Sequence, residues 1–138
     1  MLVPASRTYF IGPVSIQYNR TDITFAIEGS LVAMNDISQW RVVDGNYLTL
    51  FTFFNCSGLT IKGRGELDGQ GYVWWWHDIF VQLKHSRPHM INFLECQSVR
   101  ILDVFFRNSA RFHIRFRESA DVLIDGVKIK ADMRAPRD

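Results

Sequence analysis

Asp68 is the residue of this chain most easily taken for a catalytic acid. It sits in Gly63-Arg64-Gly65-Glu66-Leu67-Asp68-Gly69-Gln70-Gly71, a run too rich in glycine to be a helix interior. In such a glycine-flanked turn a carboxylate is expected to bond its own backbone instead. Asp121, Asp125 and Asp132 fall in turns or face outward, so solvated turn carboxylates are expected there. His77, His85 and His89 lack metal-ligand spacing, and neither a metal nor a cofactor is expected. Arg107 and Lys130 share one position of the repeat described next and stack on one outer face. Cations there meet either water or an anionic partner.

The element that positions these groups is a repeat. Asn55-Cys56-Ser57-Gly58-Leu59-Thr60-Ile61 aligns with Glu95-Cys96-Gln97-Ser98-Val99-Arg100-Ile101 and with Glu118-Ser119-Ala120-Asp121-Val122-Leu123-Ile124. Phe51, Ile91 and Ile114 match upstream, as do Phe53, Phe93 and Phe116; Val104 and Phe106 match Val127 and Ile129 downstream. Short strands of period two recurring in this way stack copy on copy. No copy buries its apolar face alone, so neighbours share one core. The fold class is all-β, a right-handed parallel β-helix (solenoid), incomplete, with a Gly/Trp-rich loop inserted between coils. One partial domain covers 1–138, with the inserted loop at about 63–88.

Composition narrows the function. The 138 residues hold one modest core. Eleven Phe and four Trp suit a solenoid interior of stacked rings. A net charge of +2 gives no argument for nucleic acid. No apolar run nears the roughly 20 residues that span a bilayer, so no membrane partner is expected. Met1-Leu2-Val3-Pro4-Ala5 lacks the pattern of a signal peptide. Cys56 and Cys96 occupy equivalent turns. Stacked strands lie about 4.8 Å apart, inside the roughly 4.4–6.8 Å window of a disulfide, so a bridge and two buried thiols both stay open. Sequons occur at Asn19-Arg20-Thr21 and Asn55-Cys56-Ser57.

Along the chain, Thr8 to Ile11, Val14 to Ile16, Ile23 to Ile27 and Leu31 to Ala33 read as short strands. Asn35 to Asn46 reads as an excursion anchored by Trp40, and Leu48 to Phe54 as a buried strand. Trp74-Trp75-Trp76 to Lys84 predicts one or two amphipathic helical turns, stopped at Arg87-Pro88.

Gly63, Gly65, Asp68, Gly69, Gln70 and Gly71 followed by Trp74 and Trp75 resemble the G-x-G-x-[IL]-D-G-Q-G-x-x-W-W signature of glycoside hydrolase family 28, the polygalacturonases and related pectin hydrolases. Arg87-Pro88, Asn108-Ser109, His113-Ile114, Ile11-Gly12-Pro13-Val14 and Ala26-Ile27-Glu28-Gly29 agree with further family segments. Ala110 replaces a proline usual there, and Trp76 makes the tryptophan pair a triplet.

The resemblance implies inverting hydrolysis of α-1,4-galacturonan in acidic plant cell-wall polysaccharide, pectin or polygalacturonate. One carboxyl protonates the leaving oxygen; another, roughly 6.5–9.5 Å away, activates water. The family's catalytic N-T-D-G-[IL]-D, D-D, G-H-G and R-I-K segments do not occur in this sequence. No catalytic residue is therefore assigned. The resemblance places Asp138 about one short turn before the first catalytic aspartate, so a piece truncated at both ends and inactive alone is expected. It also puts Arg111 and His113 beside the catalytic turn, with Arg107 and Lys130 as further substrate-binding candidates. Trp74 and Trp75 are expected to pack the loop rather than to bind sugar. The family acts outside the cell, in the wall. Two other readings accompany the enzyme: a non-catalytic module binding acidic polysaccharide, and a fragment that self-associates end to end through open strand edges.

Overall fold

The chain winds as a parallel β-helix. The computed structural model describes residues 1–17 and 20–132; Tyr18, Asn19 and the stretch ending at Asp138, and with them the first sequon, lie outside the described residues. The opening coil comprises β1 (Leu2–Val3), β2 (Thr8–Ile11) and β3 (Val14–Gln17). The next runs through β4 (Thr24–Ile27) and β5 (Ser30–Ala33). It then leaves the solenoid through a 3-10 turn (Ile37–Gln39) and the hairpin of β6 (Val42–Val43) and β7 (Asn46–Tyr47), and returns as β8 (Phe51–Phe54). The third holds β9 (Thr60–Lys62), β10 (Glu66–Asp68), the helix α1 (Gly71–Phe80) and β11 (Ile91–Leu94). The fourth holds β12 (Gln97–Leu102), β13 (Phe105–Arg107) and β14 (Ile114–Arg117), and the last described coil β15 (Ala120–Asp125) and β16 (Lys128–Lys130).

These strands form three parallel sheets along the axis: β1-β4-β9-β12-β15, β2-β5-β10-β13-β16, and β3-β8-β11-β14. Register follows the repeat. Phe51 pairs with Ile91 and Ile91 with Ile114; Phe53 pairs with Phe93 and Phe93 with Phe116. Inward residues alternate with outward ones, as in β8 and β11, where the first and third positions are buried. The phenyl rings make a column, Phe53 on Phe93 at 5.3 Å and Phe93 on Phe116 at 4.8 Å, nearly parallel at 12° and 10°.

The turns between the third and first sheets explain the polar tetrapeptides. Asn55, Glu95 and Glu118 all adopt left-handed backbone, at φ 52°, 54° and 49°. Cys56 and Cys96 follow them as buried thiols, with no disulfide between them. Each donates to the carbonyl two residues back, Phe54 and Leu94, at 3.4 Å. Ser119 takes that place in the next coil, its hydroxyl bonding the Arg117 carbonyl at 2.9 Å. A hydroxyl thus replaces a thiol in one structural job.

The inserted loop is narrower than 63–88. Glu66–Asp68 is β10, a true rung of the second sheet, with Leu67 between Leu31 and Phe106. Leu67 is fully buried, and that burial draws the segment into the solenoid despite its glycines. What leaves the solenoid is about 72–88, since Gly71 N–H still reaches the Asn108 carbonyl and Met90 is buried and bonded to Phe51 and Phe112. Its helix α1 has ten residues, longer than the one or two turns predicted, and buries Tyr72 and Trp74. Trp74 packs edge-on to Trp40 at 5.2 Å and to Tyr47 at 4.7 Å, so the two excursions hold each other. At the last coil Val122, Ile124 and Ile129 are 39%, 47% and 55% exposed, while their counterparts Val99, Ile101 and Phe106 are fully buried. Among the described residues nothing covers that end.

Candidate functional site

The sequence candidates gather where the chain passes from the second sheet to the third. Asn108 is the pivot of this face. It is buried, with φ 52°. Its N–H donates to the Lys130 carbonyl at 2.8 Å, its side-chain oxygen accepts from Asp132 N–H at 2.8 Å, and its carbonyl accepts from Gly71 N–H at 2.7 Å. One residue therefore ties three successive coils. The glycines here are dictated by contact: a Cβ on Gly69 or Gly71 would lie 2.7 or 2.6 Å from the Asn108 carbonyl oxygen.

Asp68 is buried, and its carboxylate accepts from Gln70 N–H at 2.9 Å. Gln70 is itself left-handed at φ 45°. Its amide donates to the Ala33 carbonyl and accepts from the Tyr72 hydroxyl. The Asp-Gly-Gln-Gly sequence is thus a turn pinned to β5 beneath and to α1 ahead. Gly63 and Gly65 lie earlier, where the chain crosses the Ile27 and Gly29 carbonyls. Trp75 donates its indole N–H to the Ala110 carbonyl at 3.2 Å. Trp76 stays half exposed and stacks on Phe80 at 5.1 Å.

Arg107 and Lys130 pair in register on the outer face of β13 and β16. Each already has an anion. Arg107 meets Glu66 at 3.3 Å with both side chains largely buried, and Lys130 meets Asp132 at 3.5 Å. Asp121 accepts from the Ser98 hydroxyl at 2.7 Å, and both it and Asp125 are exposed. Arg111 is exposed, with its guanidinium 5.6 Å from the Phe112 ring centre. His113 is half-buried and accepts from Ser109 N–H at 3.2 Å. Burial lowers its pKa, opposed by a hydrogen bond with the Lys130 backbone.

Two further residues join this face that were not binding candidates in the sequence. His89 is buried and stacks on Phe112 at 5.1 Å. Arg115, outward on β14, brings a guanidinium nitrogen to 3.1 Å from His89 Nε2. Burial, then the charges of Arg115 and Arg111, push the His89 pKa down to about 4. The sequence did carry one clue, since Arg115 stands between inward Ile114 and Phe116 and must point out.

A pH dependence follows. The unfolded chain binds a proton at this imidazole near pH 6.5, and the folded chain only near 4. Stability from the neutral ring is complete above about pH 6.5 and is lost as pH falls towards 4. Denaturant midpoints measured from pH 7 to pH 4 are expected to fall, and His89→Gln to fall less over that window. An equal fall in both would assign the loss to other groups.

Among the described residues no three His, Cys, Asp or Glu side chains converge as a metal requires, and no helix is long and apolar enough to cross a membrane. The arrangement is a cationic and aromatic face on a rigid scaffold.

Comparison with known proteins places this geometry. The family model described as glycosyl hydrolases family 28 matches residues 1–137. A polygalacturonase of Chamaecyparis obtusa is 29% identical over 143 residues, covering 99% of this chain and 27% of that protein. A polygalacturonase of Persea americana is 25% identical over 142 residues, covering 99% of this chain and 30% of that protein. The chain thus spans under a third of these relatives. A hyperthermoactive exopolygalacturonase of Thermotoga maritima superposes with a TM-score of 0.76 at 20% identity, over 94% of this chain and 38% of that one.

Proposed function

This chain belongs to the glycosyl hydrolases family 28, and from that premise we propose that it forms part of a polygalacturonase-like enzyme. The reaction is hydrolysis of α-1,4-galacturonosyl linkages in pectin, outside the cell, with inversion. The observation that carries the reading is the family match across residues 1–137. The pinned Asp68–Gly71 turn supports it, because the signature residues are used there as a unit.

In this mechanism one carboxyl protonates the leaving oxygen while a second draws a proton from the attacking water. The residues of this chain serve as platform and cleft wall. Asn108 fixes the coil on which the next turn rests, and Arg111 and His113 face that turn. Cationic side chains on the wall attract a polyanionic substrate and orient its carboxylates.

A second reading, binding of acidic polysaccharide without turnover, is favoured by one observation. Lys84, Arg87 and Arg111 line a recess of about 350 Å³ that holds a single carboxylate, Asp78. The purified chain is expected to bind polygalacturonate more weakly as salt rises, with no release of reducing ends. Turnover by the chain alone would overturn the assignment of catalysis to groups other than these. Reading the coding sequence past residue 138 tests the enzyme itself: Asn-Thr-Asp-Gly within the next coil is expected, and a stop codon there would remove the enzyme reading.

A further inference from the structure

We propose that Arg111, Arg115, His89 and Phe112 form a subsite for one uronic acid residue, its carboxylate held by the two guanidiniums and its ring face laid on Phe112. This rests on the reading above that the ligand is an acidic polysaccharide. It adds the residues that recognise it.

The geometry is unusual in its charge. His89 stacks on Phe112 at 5.1 Å and 19°, Arg111 carries its guanidinium 5.6 Å from the same ring centre, and Arg115 reaches His89 at 3.1 Å. Two guanidiniums therefore gather around one imidazole and one phenyl ring. Among the described residues the ion pairs go to Arg87, Arg107 and Lys130, and neither Arg111 nor Arg115 has one. The adjoining recess adds Lys84, and its one carboxylate, Asp78, is already engaged by Arg87 at 3.4 Å. Like charges so placed repel unless an anion joins them.

The imidazole makes the same request. Its Nδ1 faces the Phe112 N–H at 3.4 Å and its Nε2 faces Arg115 at 3.1 Å. A neutral imidazole has one acceptor nitrogen, and both of these neighbours are donors. In one tautomer Arg115 donates to Nε2 and Nδ1–H meets the Phe112 N–H; with Nδ1 accepting from the fixed backbone N–H, Nε2 carries the ring hydrogen and meets Arg115 donor to donor. One ligand oxygen beside them would accept from both. His89 thereby acts as a positioning residue for Arg115.

The class of ligand follows from what surrounds the cations. A guanidinium matches a planar carboxylate with two parallel bonds. Phe112 is 57% exposed and offers apolar surface beside them that His89 and Arg111 leave uncovered. An inorganic anion leaves that face wet, whereas the C–H face of a sugar covers it. A sugar bearing a carboxylate uses both.

The test is titration of the purified chain with trigalacturonate, the neutral galactose trimer and sodium sulfate, followed by calorimetry and by the ring resonances of His89. Trigalacturonate is expected to bind and to shift His89, with the neutral trimer inert. Affinity should fall at least about tenfold in R111Q/R115Q and stay unchanged in K62Q/R100Q, a charge-matched control on the first sheet. Thermal melting checks that the variants fold, and the His89 resonances read the native chain without any substitution. Binding that R111Q/R115Q leaves intact would overturn the subsite while the polysaccharide reading stands. Absence of trigalacturonate binding at millimolar concentration would overturn it outright. Sulfate competing as well as the sugar would reduce it to a general anion site.

Discussion

Phe93→Ala is expected to destabilise the fold by about 3–5 kcal/mol. Phe93 is fully buried and lies between Phe53 and Phe116, each within 5.3 Å and nearly parallel to it. Removing its ring deletes the middle of a column and leaves a void between two coils. The backbone on either side is fixed by parallel pairing of β11 with β8 and with β14, so neighbours cannot close the gap by sliding. Domains of this size hold only about 5–15 kcal/mol in all, so at least about a fifth of the total would go. Urea unfolding of the variant measures it. A loss below about 1 kcal/mol would mean that the column is not the core's keystone.

Gly63→Ala is expected to cost about 3 kcal/mol or more, and to yield little soluble protein. Two causes act together. The residue has φ +133°, and a Cβ there would stand 2.0 Å from the Ile27 carbonyl oxygen. That oxygen is already bonded, accepting from Gly65 N–H at 2.8 Å, so moving it breaks the tie between the end of β4 and the turn that joins β9 to β10. Gly45→Ala separates the two causes. Its φ is +75°, and nothing lies within 4 Å of its Cβ, so it pays only the backbone term, about 1 kcal/mol. Equal losses at the two positions would remove the contact argument.

The contrast between those glycines marks what the sequence could convey. Phe53, Phe93 and Phe116 were legible because a period of two, repeated in register, constrains both face and neighbour. Leu67 was not, since a single apolar residue among glycines shows no alternation to count. Its place in the second sheet comes from contact with Leu31 and Phe106, which are distant in sequence. Glu95 and Glu118 gave no hint of left-handed backbone, because glutamate rarely adopts it. Only the stacking of one turn on the next holds them there. The cationic corner was half legible. Arg111 followed from the family resemblance, whereas Arg115 went unread although alternation turns it outward. His89 came from an excursion with no period, so its meeting with Arg115 had to be seen in three dimensions.

Cys56 and Cys96, one above the other and shut away from water, have a use that their packing role hides. A thiol reagent can reach them only when the surrounding rungs part. The speed at which such a reagent labels each would therefore clock the breathing of two adjacent windings separately, with a probe that the chain already carries.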